Sequence, residues 1–387
     1  MSEAQSAVIE GGFWHHLMLR VRLARVPDTA PAPRALLLAA IAWAPLALLA
    51  VYEGRAFGGA VIPFAYDLAA HARFLIAIPV LVLGEPLLEA RLRPVVRLFE
   101  RSGLVGDDAR AGFQSALDHV RRRIEGPFEL TFVVLAYALA VYFASQGIVT
   151  ETTTWRADQI DSGTVVNAAG QWYRWVSVPL FLFLLLRWLW WLGLWAGFQR
   201  RVARLPLRYV LAHPDRHGGL GFVASAQTAL MPVVFALSAV ISAGVGMRVL
   251  FGGHALREFY PALGTFVVLA LVLPLAPLVV FAPGLAAAKR AALRAYSGLA
   301  SDTGRRFEGK WLGTSVDDPG SLLEVGDVSA LCDFGEVYDR VQRLQPIPLD
   351  RAGVVPLIAA VVLPLLPLAL TVWPLDVIVR QLLQAIF

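Results

Sequence analysis

Cysteine occurs once in 387 residues, at Cys332. An internal disulfide and a cysteine metal cluster are therefore excluded. Lysine is almost as scarce, present only as Lys289 and Lys310, so nearly all positive charge is arginine. Charge of either sign is thin: 16% of residues, against roughly 25% in a typical soluble domain. Three catalytic signatures are also missing: the phosphate-binding P-loop, the GxSxG nucleophile elbow and the HExxH zinc helix. With no such motif, the sequence leads us to expect no cofactor and no metal.

What remains is apolar. Hydrophobic types make up 57% of the chain, and the mean hydropathy is +0.62. Folding alone cannot hide that much apolar surface from water, so the expected solvent is a bilayer. A hydrocarbon core of about 30 Å takes roughly 20 helical residues to cross. Seven runs meet or approach this length, at about 35–52, 73–92, 128–148, 174–198, 222–251, 262–284 and 354–374. Lipid forces each backbone to satisfy its own hydrogen bonds, which makes each run a helix. The expected fold class is an all-α polytopic transmembrane bundle of about seven spans, with short cytoplasmic amphipathic helices.

The net charge of +5 and a pI near 9.6 could suggest nucleic acid. The arginines instead flank apolar runs in alternate loops, which speaks for topology and against a nucleic-acid partner. Basic segments include Arg20 to Arg34, Arg91 to Arg123, Arg200 to Arg216 and Lys289 to Lys310, whereas the other loops hold little beyond Arg55, Arg156 and Arg257. The positive-inside rule then puts the N-terminus in the cytoplasm and the C-terminus outside. Arginine over lysine, with many alanines, suggests a bacterial inner (plasma) membrane. No cleavable signal peptide is apparent.

The expected segments are an N-terminal arm (1–34), spans 1 and 2 (35–92), an amphipathic segment (93–127), spans 3 to 6 (128–284), a cytoplasmic helical segment (285–353), and span 7 with an amphipathic tail (354–387). Asp107 or Asp108 is expected to cap a helix with a Phe113, Leu117, Val120 and Ile124 stripe, whose basic back could lie on anionic lipid. Asp327 is expected to cap a second helix carrying Leu331, Phe334, Tyr338, Val341 and Leu344 on one face. "VLPLAPLVVFAPG" (272–284) is echoed by "VLPLLPLALTVWP" (362–374) in a span of opposite direction. Paired proline-broken helices of this kind point to binding sites in transporters, although leucine-rich, proline-tolerant spans also produce echoes by chance.

Two places could carry chemistry. Glu85 and Arg187 each lie about a dozen residues into a span, where a bare charge costs roughly 2.5–3.5 kcal/mol. They are expected to pair, with Glu129 close enough to join, either as a packing salt bridge or as a gate or proton-linked site. The second place is "HPDRHGGLGF" (213–222). Gly218 and Gly219 suit positive φ, Gly221 allows close backbone approach, and the next helix offers free N–H groups. With Arg208 and Arg216 beside them, these residues form a candidate anion site for a lipid headgroup or a small anionic solute. His213, Asp215 and His217 are also spaced like an acid/base or metal group. The alternative is a tight turn in which Asp215 accepts the loop N–H groups.

This loop, with "ARLPLRYVLA" before it and "SLLEVGDVSALCDFGEVYDRVQRLQPIPL" after it, resembles uncharacterised bacterial multipass inner-membrane proteins carrying an HPDxxGGLGF loop. The resemblance covers about the second half of the chain and implies a membrane location but no activity. On the sequence alone, the leading function is a transporter or channel for a small solute or ion. The alternatives are a non-transporting module that binds lipid headgroups or a partner protein, and a membrane enzyme acting on lipid. Membrane lipids are the expected partners, and a homo-oligomer is compatible with the sequence.

Overall fold

The structure, a computed structural model, describes residues 31–126, 128–145, 154–160, 163–312 and 326–371. The N-terminal arm, the turn-rich "GTSVDDPGS" and the amphipathic tail after residue 371 lie outside the described residues.

The chain is an all-α polytopic bundle. In order, it forms α1 (Pro31–Tyr52), α2 (Leu68–Arg101), α3 (Asp107–Glu125) and α4 (Phe128–Ser145). A small antiparallel hairpin follows, β1 (Ala157–Ile160) and β2 (Gly163–Val166), in which Ala157 faces Val166. Then come α5 (Ala168–Val202), α6 (Gly221–Phe251), α7 (Leu256–Trp311), α8 (Asp327–Gln342) and α9 (Arg351–Leu370). Six helices are long and apolar enough to cross a membrane: α1, α2, α5, α6, α7 and α9. The count becomes seven if α3 and α4, which meet at 53°, make one more span.

Several helices are irregular, and proline explains where. A π-turn at Ala72–Ala77 is followed by Pro79, another at Tyr173–Ser177 by Pro179, and a 3₁₀ turn at Gln227–Leu230 by Pro232. Proline lacks an N–H and its ring clashes with the carbonyl four residues earlier. That carbonyl belongs to Leu75, Trp175 or Thr228, each inside the irregular turn. The turn therefore absorbs the missing bond without ending the helix.

Turns gather at two opposite faces. At one, the Leu104 carbonyl accepts from Arg208 N at 2.8 Å and the Arg216 carbonyl from Gln345 N at 2.8 Å. Just inside it, the rings of Phe99, Phe113, Phe198, Phe222 and Phe281 join α2, α3, α5, α6 and α7, with Phe99 and Phe222 centroids 4.9 Å apart. At the other face, Trp155 is fully buried and donates from Nε1 to Asp67 at 2.9 Å. Asp67 also caps the start of α2 through Ala70 N at 2.9 Å.

Some sequence expectations need correction. Arg34 is part of α1, not of an arm, and is 3% exposed. The segment expected as helical after span 6 begins as a continuation of α7, which runs on through residue 311. None of the three aspartates caps its helix: Gly106 and Gly326 hold the N-cap positions, and Asp107, Asp108 and Asp327 fall in the first turns. Asp327 instead holds Lys310 and accepts from Trp311 Nε1 at 3.2 Å, tying α8 to the end of α7. Along the hairpin, the Tyr296 and Phe334 rings stack at 6.2 Å.

Candidate functional site

Glu85 reaches the core because Gly84 precedes it. A Cβ on Gly84 would lie 2.5 Å from Pro232 and 2.8 Å from Trp188, so only glycine lets α2 lie against α6 and α5 there. Trp188 fixes the register by donating to the Leu81 carbonyl at 3.0 Å. Its neighbour Arg187 then meets both acids. The Arg187 Nη1 group contacts Glu85 Oε1, and Nε donates to Glu129 Oε1 at 3.0 Å.

The sequence reading missed the fourth member. Arg34 Nη2 donates to the second oxygen of Glu85 at 3.0 Å. The result is a chain Arg34–Glu85–Arg187–Glu129, alternating in sign, electrically neutral, and drawn from α1, α2, α5 and α4. Arg34, Glu129 and Arg187 are 3%, 4% and 5% exposed. Buried ionic groups of this kind are stable only when each charge finds partners, and breaking one contact leaves the other stranded. Arg34 stands at a helix start among other arginines, so sequence alone gave it a topological explanation.

The glycine loop is built around Asp215. Its Oδ1 accepts from His217 N at 2.8 Å and Gly219 N at 3.2 Å, and its Oδ2 accepts from Gly221 N at 2.8 Å. His213 Nδ1 stands 3.0 Å from Oδ1. Burial opposes the charge, but these N–H groups and the His213 ring outweigh it and hold the Asp215 carboxyl below its ordinary range. Gly218 and Gly219 take φ of +64° and +88°, and Arg216, at +59°, is the non-glycine residue in that region among the described residues. Gly221 is needed for a different reason: a Cβ there would press on Asp215 at 3.1 Å. The donors proposed for an external anion thus face the chain's own carboxylate.

The remaining candidates spread outward. Arg208 pairs with Asp108 at 2.9 Å, away from the glycines, and Arg216 is exposed. His217 is buried, its Nδ1 3.3 Å from the Gln345 carbonyl. Lys289 donates to the Leu344 carbonyl at 2.8 Å. His213 thus pairs with Asp215 while His217 turns to Gln345, so the loop holds Gln345 and Lys289 of α7 holds Leu344. Among the described residues, no group of three or more His, Cys, Asp or Glu side chains is arranged to hold a metal.

A further polar junction escaped the sequence reading. The Gln199 amide, oriented by its neighbours, accepts from Trp195 Nε1 at 2.7 Å and Gln227 Nε2 at 2.8 Å, and donates to the Pro277 carbonyl at 3.2 Å. It joins the 3₁₀ turn of α6 to the one at Ala276–Phe281 in α7. No protein-family model, curated protein or solved structure matches this chain.

Proposed function

We propose that the protein is a non-transporting membrane module, a fixed bundle whose arginine-rich face does the binding. One observation carries this reading: Arg34, Glu85, Arg187 and Glu129 are linked cation to anion across four helices, with Arg34, Arg187 and Glu129 buried and the Glu85 side chain 14% exposed. A carrier site needs charges that can exchange partners with a solute or proton, whereas these four are committed to joining helices.

Transport is the second reading, favoured by the proline echo. Both copies do become 3₁₀ stretches, Ala276–Phe281 and Leu363–Thr371. Their surroundings weigh against a shared site. The first meets Gln199, beside Gln227 at the start of α6, while the second packs Leu368 at 3.7 Å from the Cβ position of Gly246, near the end of α6. The two breaks lie toward opposite ends of that helix.

Flux in proteoliposomes distinguishes the readings. Protons, alkali cations and small organic anions should cross no faster than in protein-free vesicles. Glu85→Gln should lower stability in detergent by about 3–5 kcal/mol, the range for breaking a buried ion pair. Saturable flux that Glu85→Gln abolishes without loss of stability would overturn the proposal.

A further inference from the structure

The amphipathic helix α3 packs its apolar stripe on α2 and α5, which brings its basic back beside the arginine-rich end of α5. His119 Nε2 accepts from Arg201 Nη2 at 2.9 Å. Arg201 is held from its other side by the Gly197 carbonyl at 3.3 Å. Arg123 lies over the Phe128 ring at 5.0 Å, at the corner between α3 and α4. Arg122, Arg200 and Arg204 are exposed. Among the described residues none of these five arginines forms an ion pair with a carboxylate, although Asp118, paired weakly with Arg121 at 3.8 Å, and Glu125 lie nearby. Among the described residues the cluster carries more positive charge than its acidic neighbours offset. Burial of the His119 ring, then Arg201, Arg123 and Arg122, lower its pKa, as expected for an imidazole in a cationic neighbourhood.

Directly beside this cluster lies a narrow crevice between α2, α3 and α5, lined by buried side chains. Its lining is entirely apolar and includes Leu117, Val120, Trp195 and Phe198. Leu117 and Val120 are within one turn of His119 and Arg123, and Phe198 is one turn before Arg201. Arg201 stands one residue from the end of the α5 span, the depth at which headgroup phosphates lie.

We infer that His119, Arg122, Arg123 and Arg201 form a headgroup site for an anionic phospholipid, whose tail would start against the apolar edge of the crevice. The inference rests on the reading that the arginine-rich face is the binding face, and it names the ligand class. Guanidinium groups suit phosphate because they donate in a planar fork, and two of these are already held in place by protein contacts. An acidic peptide or a free anion would gain the charge but leave that apolar edge uncovered.

The test uses the full-length protein in a neutral detergent, with dioctanoyl phosphatidylglycerol, dioctanoyl phosphatidylcholine or inorganic phosphate added. Phosphatidylglycerol should raise the thermal midpoint saturably, while the other two should not. Each lost surface arginine should weaken the apparent affinity about fivefold, so Arg123→Gln with Arg201→Gln should weaken it about 25-fold. Arg122→Glu, at an exposed position, tests the same charge without touching the packing and should also weaken binding. Arg257→Gln, exposed in the first turn of α7 at the opposite face, should change nothing. Equal response to phosphatidylcholine, equal response to inorganic phosphate, or unchanged affinity in Arg122→Glu would overturn the inference. None of those outcomes bears on the charge chain, whereas solute flux would overturn the non-transporting reading and leave the headgroup site standing.

Discussion

Asp215 shows how much one side chain can organise. Three backbone N–H groups converge on it, and Asn in its place would turn an NH₂ toward at least one of them. We expect Asp215→Asn to cost about 1–3 kcal/mol, read as a lower thermal midpoint in detergent at neutral pH. The sign of the pH effect follows from the lowered carboxyl pKa. Ionised Asp215 is favoured in the folded chain, so its contribution is complete above the ordinary value of 3.8 and fades as pH falls below it toward the folded value. Midpoints of native and variant protein should therefore converge under acid, and a constant gap down to strongly acidic pH would contradict this account. At this scale the sequence was informative where physics left one option. Two opposite charges inside apolar runs, Glu85 and Arg187, had to meet, and they do. Arg34 was hidden because a flanking arginine already has a topological explanation. Asp67, Trp155, Gln199 and Gln227 were hidden because their partners lie far away in sequence.

At the scale of elements, the loop after α5 and Gln345, just past α8, hold each other. Gly218 is pivotal, since its φ is +64° and a Cβ there would meet Leu285 at 2.8 Å. Gly218→Val should strain the loop by about 1–2 kcal/mol, release Gln345 and expose the end of α8. Limited proteolysis should then cut near residues 343–350 roughly tenfold faster, and an unchanged digestion pattern would refute the mutual grip. Six of the seven spans were readable from apolar length, the third counting only if α3 and α4 make one span, and their ends moved by a few residues to several turns, most at the end of α7. What length could not show is local geometry: each proline was visible, but not that the chain would answer with a π-turn before Pro79 and a 3₁₀ turn before Pro232. That choice depends on neighbouring helices, as with Gln199 and the Pro277 carbonyl.

For the whole molecule, the chain supplies its own topological reporter. Cys332 is the lone cysteine, exposed on α8, and α8 is strapped to the arginine-rich face. A membrane-impermeant maleimide should label it in inside-out vesicles and not in right-side-out ones, with Arg216→Cys giving the same sidedness in a Cys332→Ser background. Labelling of the two positions from opposite sides would break the arrangement. The sidedness expected from the alternation of basic and non-basic loops rests on the cost of carrying arginine across lipid, and this labelling tests it.

The order of the four linked charges along the chain bears on how the molecule is assembled. Arg34 and Glu85 belong to the first pair of long helices, and Glu129 and Arg187 to α4 and α5. Each of these two helix pairs therefore carries one cation and one anion that meet within the pair. The other oxygen of Glu85 contacts Arg187, so a single carboxylate ties one neutral pair to the next.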